Sequence, residues 1–421
     1  MNDIVLAVDA AKRKSTVGLF RRTPGPPGSF SEPEITCLIR PRDVKHCVEE
    51  LDALVERVRR AGVNPAGLDF IVESTGSYDR PISCYLRSKG MRMIRINPLY
   101  GAVPQGASIR RTKTDSTDAA KLAQLYFSGR FKNSRELPPE QEEARRLSFM
   151  IERLEDISTR LKSSLRMLVG EGFLEVERDL NLSRIGQNGL LRLLYKYPTA
   201  ELLARARLKS ISAELGGPRK MADERAAEIQ QLARLSICRT TELGECFCEV
   251  VRSMIDQLRD LESETDRLVK LLVERVSATP IYRVLKSFNG IGDKSAAMLS
   301  AELGDISAYS TPQKLISAAG LDPSIRQSGD SIDSHGRITK RGSRHARRVL
   351  FRIVHHITMV GAREDSAGKL WSNGEIYTYY LKKRAEGKSS TASKIAAMAK
   401  LLRKVYYRFR DFQRTGVLKV A

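Results

Sequence analysis

Five short apolar runs between Ile4 and Ile96, separated in a fixed order by turn-forming or helix-length segments, constrain this chain more than any other feature. Ile4–Val8 ends in Asp9, and Ser15–Phe20 follows as a second strand. Thr23-Pro24-Gly25-Pro26-Pro27-Gly28 must then be a loop, because proline and glycine interrupt both regular structures. Glu34–Ile39 reads as a third strand. Val44–Arg60 has helical spacing, with Val44, Val48, Leu51, Leu54, Val55 and Val58 on one face. Leu68–Val72 is a fourth strand and runs into Glu73. Ile82–Arg87 is helical, Met91–Ile96 is a fifth strand, and a helix from Ser116 to Phe127 closes the series.

Three strands, helix, strand, helix, strand, helix is the order of a ribonuclease-H-like domain, so residues 1–136 are expected to form an α/β unit of that kind. Asn133–Glu140, with Pro138-Pro139, reads as a linker. Beyond it two runs repeat in steps of four and three: Leu147, Ile151, Leu154, Ser158, Leu161, Leu165, Leu168, and Val251, Met254, Leu258, Leu261, Thr265, Leu268, Leu272. Six of seven seam positions are apolar in each, the pattern of a coiled coil, although two amphipathic helices on a common core would show it as well. Residues 137–280 are therefore expected to be helical with coiled-coil character. Ser277-Ala278-Thr279-Pro280 reads as the next boundary, and 281–421 as a mainly α region.

The formal charge is +22, and residues 281–421 hold 26 Lys and Arg against 11 Asp and Glu, so about two-thirds of the surplus lies in the last third. Such asymmetry favours a polyanionic partner. The six cysteines form no C-x-x-C pair, which argues against structural zinc. No apolar run reaches membrane-spanning length and no cleavable leader pattern opens the chain, so a cytoplasmic protein without membrane association is expected.

Against this basic background four carboxylates stand out. Asp9 and Glu73 end strands that neighbour each other in the expected fold, and Asp115 and Asp118 share one face near a helix start at i,i+3 spacing. Two Mg²⁺ ions require converging hard oxygen ligands, and such a pair activates a nucleophile and stabilises the leaving oxygen of a phosphodiester. Taken singly, Asp115 is equally a helix cap, Asp118 a solvated first-turn acid and Asp9 a strand terminator. Arg110, Arg111 and Lys113 precede the acidic pair and are candidates to hold a phosphate backbone.

Phe288-Asn289-Gly290-Ile291-Gly292 followed by Ala296–Leu299 has the form of a helix-hairpin-helix turn, in which Gly290 and Gly292 would let backbone approach a phosphate. Packing glycines account for it almost as well. Further on come Gln327-Ser328-Gly329 and Gly336-Arg337-Ile338-Thr339-Lys340-Arg341-Gly342, then Arg344, Arg347, Arg348 and Arg352 on a helix, with no acid from Gly336 to Gly361. Arg337, Lys340, Arg341, Arg344 and Arg348 are the expected nucleic-acid contacts. A hydroxyl-bearing loop ahead of a basic face suits phosphate attack, but it equally suits simple binding.

These segments together resemble the DEDD transposases of insertion sequences, the family that includes bridge-RNA-guided recombinases. The N-terminal signature is matched by Asp9, Glu73, Asp115 and Asp118. The C-terminal one is matched by Gly290-Ile291-Gly292, Ala318-Ala319-Gly320-Leu321, Gln327-Ser328-Gly329 and Ile338-Thr339-Lys340-Arg341-Gly342. Leu321-Asp322-Pro323 departs from an expected Leu-Thr-Pro. The resemblance implies a resolvase-type metal domain, a coiled-coil region and a C-terminal transposase domain. It implies DNA as substrate, a guide RNA, and a dimer or tetramer in which subunits meet at the DNA. It further implies a serine that links covalently to DNA, a role that falls on Ser328. A water-using nuclease of the Holliday-junction resolvase type and a non-enzymatic nucleic-acid scaffold are the competing readings.

Overall fold

The computed structural model describes residues 2–23, 34–73, 78–96, 115–129, 131, 137–175, 188–240, 243–328, 332–362 and 372–418; at 115–117, 188, 240, 324–328, 332–337 and 372 it describes the backbone. The chain divides into two compact units, Met1–Glu136 and Leu137–Ala421.

The first unit is a mixed five-stranded sheet in the order β3-β2-β1-β4-β5. Its strands are β1 (Ile4–Ala10), β2 (Lys14–Arg22), β3 (Ile35–Lys45), β4 (Asp69–Glu73) and β5 (Arg92–Ile96). Helices α1 (Val48–Arg60) and α2 (Asp79–Ser88) precede β4 and β5, and α3 (Asp115–Ser128) follows. The first three strands meander antiparallel, and β1, β4 and β5 run parallel. The element order is the one expected of a ribonuclease-H-like domain. Central strands covered on both faces need continuous apolar sequence, and β1 and β4 have it. Leu6, Val8, Phe70 and Val72 pack with Leu51, Leu54, Val55 and Val58 of α1 and Ile82 and Leu86 of α2. Val5, Ala7 and Ile71 pack on the other face with Ala119, Leu122, Ala123 and Tyr126 of α3.

One boundary differs from the sequence reading. Val44, assigned by spacing to the first helix, is the penultimate residue of β3, buried opposite Ser15. A β-branched side chain alternating inward fits a strand as well as it fits a helical stripe, and the sheet core decides.

The second unit is mostly helical. Its longest elements are α4 (Pro139–Gly172) and α9 (Glu245–Val276). They lie antiparallel: Lys162 Nζ reaches Glu262 at 2.8 Å, and Arg275 reaches Glu143 at 2.8 Å. The heptad residues Ile151, Ser158 and Leu165 of α4, and Val251, Leu258, Thr265, Leu268 and Leu272 of α9, are buried. The seam threonine is satisfied internally, Thr265 Oγ1 donating to Leu261 O at 2.7 Å.

Each long helix serves two cores. At one end Leu165, Val169, Val251, Ile255 and Leu258 pack with α5 (Asn188–Lys196), α6 (Ala200–Arg205), α7 (Leu208–Leu215) and α8 (Arg219–Leu235). At the other, Ile151, Leu268, Leu272 and Val276 join the C-terminal core. That core is built on α10 (Pro280–Lys286), α11 (Asp293–Leu303), α12 (Pro312–Ala318), α13 (Arg344–Val360), α14 (Ser372–Ala385) and α15 (Ser390–Thr415). The punctuation at Ser277–Pro280 turns the chain without separating cores: Thr279 caps α10 by accepting from Tyr282 N, and Val276 and Ile281 share one cluster.

The segment read as a hydroxyl-bearing loop contains a two-stranded antiparallel hairpin, β6 (Pro323–Ser328) with β7 (Ile332–Ile338). The small polar residues that suggest a loop mask the alternation that a sheet needs. Among the described residues no helix is long and apolar enough to cross a membrane.

Candidate active site

Strand register decides which acids meet. β1 and β4 pair in parallel with Val8 beside Val72, so Asp9 and Glu73 are the next residues along neighbouring strands. Alternation puts Asp9 on the face of Val5 and Ala7, and Glu73 on that of Ile71, the face that α3 covers. Both acids are half-buried.

A hydrogen-bond anchor holds the C-terminal end of α3. Tyr126, near its C-terminus, donates its hydroxyl proton to the buried Asp69 at the start of β4 and accepts from the backbone N–H of Asn2 at 2.9 Å. Arg92 Nε holds the same Asp69 at 2.9 Å. Burial, and the Asp69 carboxylate beside it, push the Tyr126 hydroxyl well above the usual tyrosine range, so it stays a donor. The C-terminal end of α3 is therefore tied to the starts of β1 and β4. From Tyr126 back to Asp118 is about 12 Å of helix, and from Asp69 to Glu73 is about 13 Å of strand. The two lengths are nearly equal, so an α3 lying along these strands would bring its start towards their acidic ends.

Asp118 is partly exposed, with Lys121 Nζ at 2.7 Å. Asp115 is the first residue of the helix. Arg110, Arg111 and Lys113 lie outside the described residues, and among the described residues no three His, Cys, Asp or Glu side chains cluster closely enough to hold an ion. Asp79, which opens α2, is buried against Arg95 at 2.9 Å. Arg95 alternates with Ile94 and Ile96, so that pair belongs to the opposite face.

In the second unit the turn between α10 and α11 bears on one expectation. Gly290 has φ +90°, and an added Cβ would meet Ile357 Cγ1 at 3.3 Å. Asp293 opens α11 and is bound by Lys286 at 2.9 Å and by the Tyr282 hydroxyl at 2.7 Å. Those two hydrogen bonds hold the Asp293 carboxyl low, while burial and that carboxylate push Tyr282 up to about 12. A phosphate approaching this helix start would meet a carboxylate. The geometry counts against Gly290 and Gly292 as phosphate contacts, and packing accounts for Gly290.

The base of the β6–β7 hairpin explains the other glycines. Lys340 N donates to Gly320 O at 3.2 Å and Ser343 N to Ala318 O at 2.9 Å, knitting 318–322 to 338–343. Asp322, where a threonine was expected, accepts from Thr339 Oγ1 at 2.8 Å and so staples the same junction. Lys340 takes φ +56°, unusual for a side-chain-bearing residue. Ser328 ends β6 opposite Ile332, about 17 Å along the strand from Pro323. The side chains of Ser328 and Arg337 lie outside the described residues, whereas Lys340, Arg341 and Arg344 are exposed.

The α13 arginines divide into two groups. Arg348, expected to bind nucleic acid, is instead committed within the fold, to Glu152 at 2.7 Å and to Asp156. Arg352 pairs with Glu155, and Arg347 donates to the carbonyls of Ala319 and Gly342 at 3.0 and 2.9 Å. Glu152, 4% exposed, also bonds His345. Sequence reasoning missed these acids on α4, although Glu152, Glu155 and Asp156 match the i,i+4 spacing of Arg348 and Arg352.

Burial alone would raise the Glu152 pKa, but hydrogen bonds from His345 and Arg348 more than reverse it; Arg348 likewise lowers Asp156. Carboxyls depressed in the fold stabilise it fully above their unfolded pKa and stop doing so as pH falls through the folded value. Acid unfolding of the second unit should therefore steepen below the ordinary carboxyl values of 4.5 and 3.8. Glu152→Gln should cost about 2 kcal/mol at neutral pH, less than a wholly buried pair because Arg348 keeps Asp156 and some solvent. It should also flatten the acid limb in urea melts followed against pH.

An α/β sheet domain with Asp9 and Glu73 on neighbouring parallel strands, joined to a basic helical unit, points to a nucleic-acid-processing protein. Residues 32–173 match the family model of DEDD transposases of the IS110 type, and residues 282–368 match the model described as Transposase IS116/IS110/IS902 family. The chain belongs to the IS110-family DEDD transposases, which cleave and rejoin DNA. The 43.6 kDa protein of insertion element IS110 from Streptomyces coelicolor is 26% identical over 338 residues, 76% of this chain and 75% of that protein. The 44.8 kDa IS116 protein of Streptomyces clavuligerus is 26% identical over 73% of each chain. The 42 kDa IS900 protein of Mycobacterium paratuberculosis is 29% identical over 56% of each. Among solved structures, RuvC of Thermus thermophilus matches 31% of this chain and 99% of its own at 11% identity; with a TM-score of 0.23 it adds nothing to the strand order above.

Proposed function

We propose that this transposase holds Mg²⁺, two ions per site, with Asp9, Glu73, Asp115 and Asp118, and that Ser328 attacks the DNA backbone. The observation that carries the metal reading is the register that sets Asp9 beside Glu73 on the face covered by α3. The donor set fits: carboxylate oxygens suit a hard cation and offset its charge. Bound there, the metal would activate the attacking oxygen and stabilise the leaving one. In this reading residues 1–136 are the metal domain, 137–280 a helical region with coiled-coil character used in assembly, and 281–421 the transposase domain.

The serine Oγ forms a bond to phosphorus as the bond from phosphorus to a deoxyribose oxygen breaks. The hydroxyl proton is lost and the departing oxygen gains one. One phosphoester replaces another, so the bond energy is kept for rejoining. The exposed Lys340, Arg341 and Arg344 near the hairpin base support a role in holding the phosphate backbone. A homo-oligomer, an element-encoded guide RNA and a cytoplasmic site of action complete the proposal by family likeness.

Incubation of the purified protein with labelled DNA, followed by denaturing electrophoresis, tests the serine. Wild type should trap label on protein and Ser328→Ala should trap none. Undiminished trapping in Ser328→Ala would move the nucleophile elsewhere, and cleavage with no adduct in either protein would make this a water-using nuclease.

A further inference from the structure

We infer that the tip of the β1–β2 hairpin and the end of β3 form a phosphate clamp for the DNA strand entering the carboxylate site, through Lys12, Arg13 and Lys45. The inference rests on the metal-site reading above and adds a substrate contact to it.

The clamp follows from strand register. Thr16 is directly opposite Asp9 on β2, and Asp43 is directly opposite Thr16 on β3, so Asp9, Thr16 and Asp43 form a row on one face. Lys14 and Lys45 pair two residues further on, hence on that same face, about 7 Å beyond the row. The β1–β2 turn is tight, with Ala11 N donating to Lys14 O at 3.1 Å. The end of β3 is laced to it: His46 N donates to Arg13 O at 3.1 Å, and His46 Nε2 shares a hydrogen bond with Ser15 Oγ at 2.7 Å. This rim is therefore a fixed part of the sheet.

Its charges are unequal in availability. Lys14 is paired with Asp43, which also accepts from Thr16 Oγ1 at 2.8 Å, and both partners keep the Asp43 carboxyl low. Lys12, Arg13 and Lys45 are exposed, and none pairs with an acid among the described residues. Carboxylates repel a polyanion as readily as they attract metal, so a strand must be held there by cations close to the acids. Three exposed cations on the rim of the sheet that carries Asp9 meet that requirement. The strand that is cut is the one that must approach those acids, which selects DNA over RNA as the occupant.

The test uses the full-length protein and a fluorescent random-sequence DNA duplex, with affinity measured across a salt series. Replacing Lys12, Arg13 and Lys45 together by glutamine should weaken binding about 10- to 100-fold and flatten the log–log salt slope by about 2 to 3, near 0.9 per lost phosphate contact. A control replacing the exposed Lys209, Lys220 and Arg225 of the second unit removes the same charge and should leave the slope unchanged. Element excision in cells should fall with the rim variant, and its Mg²⁺ requirement for cleavage in vitro should not move. Wild-type affinity and slope in the rim variant would overturn the clamp. So would a slope change matched by the control, or a loss confined to copurifying RNA. Asp9→Asn separates the two levels: a dead Asp9→Asn with a normal rim variant sinks the clamp alone, whereas an active Asp9→Asn sinks the metal reading beneath it.

Discussion

Asp9→Asn should abolish DNA strand cleavage, by at least about a thousand-fold, while leaving the fold intact. Asparagine keeps the size and one oxygen of aspartate but loses the charge that offsets a divalent cation. A thousand-fold loss corresponds to about 4 kcal/mol of transition-state stabilisation, the scale expected if Asp9 holds the proposed metal. Stability should change by less than about 1 kcal/mol, because Asp9 is half-buried at a strand end rather than in either core. DNA affinity in metal-free buffer should hold or rise slightly, since a negative charge beside the phosphates is gone. Glu73→Gln should behave alike, because Glu73 is the next position on the neighbouring strand. Calorimetric titration with Mn²⁺ provides an independent reading: heat seen in wild type should vanish in both variants. Cleavage at the wild-type rate by either one would remove it from the site.

Gly342→Ala should have the largest effect on stability, about 3–5 kcal/mol. A Cβ built on Gly342 would lie 2.1 Å from Ala318 O, 2.3 Å from Gly320 N and 2.6 Å from Ala318 C. All three are backbone atoms, so no rotamer change relieves the clash. The two segments must part, and with them go the hydrogen bonds from Lys340 N to Gly320 O and from Ser343 N to Ala318 O. Ser343 also caps α13 and donates to Glu302 at 2.8 Å, so the disturbance reaches the helix start. Thermal melting should fall by roughly 10 °C, at the few degrees per kcal/mol expected for a unit of this size. Gly292→Ala is the matched control: its φ is −78°, and an added Cβ meets nothing within 4 Å. A Gly342→Ala protein as stable as wild type would mean that the junction between 318–322 and 338–343 is not packed as described.

Where each acid falls along its own element was legible from sequence. Continuous apolar runs mark β1 and β4 as strands that lead into Asp9 and Glu73, and the helical period after Asp115 marks α3. Chain ends of elements were read less well. Val44 fits two periods, and the Gln327-Ser328-Gly329 segment carries turn residues that hide a hairpin. The arginines of α13 were the clearest misreading. A run free of acids from Gly336 to Gly361 looks like an open basic face, yet Arg348 and Arg352 are neutralised by Glu152, Glu155 and Asp156, which stand nearly two hundred residues earlier. The expected helix–turn–helix is present as α10 and α11, but Lys286 and Tyr282 hold an acid, Asp293, at the start of the second helix.

Sequence by itself determined the kind of each element, the mixed α/β then helical order, and the residues able to chelate or to carry positive charge. These are properties of neighbours a few positions apart, fixed by backbone geometry and side-chain chemistry. Only the tertiary structure decided which acids share a face, which arginines are already neutralised and which lysines stand exposed on the rim of the sheet that carries Asp9. Those outcomes depend on register and packing between segments remote in the chain, and the free energy that selects them comes from burying the cores as a whole.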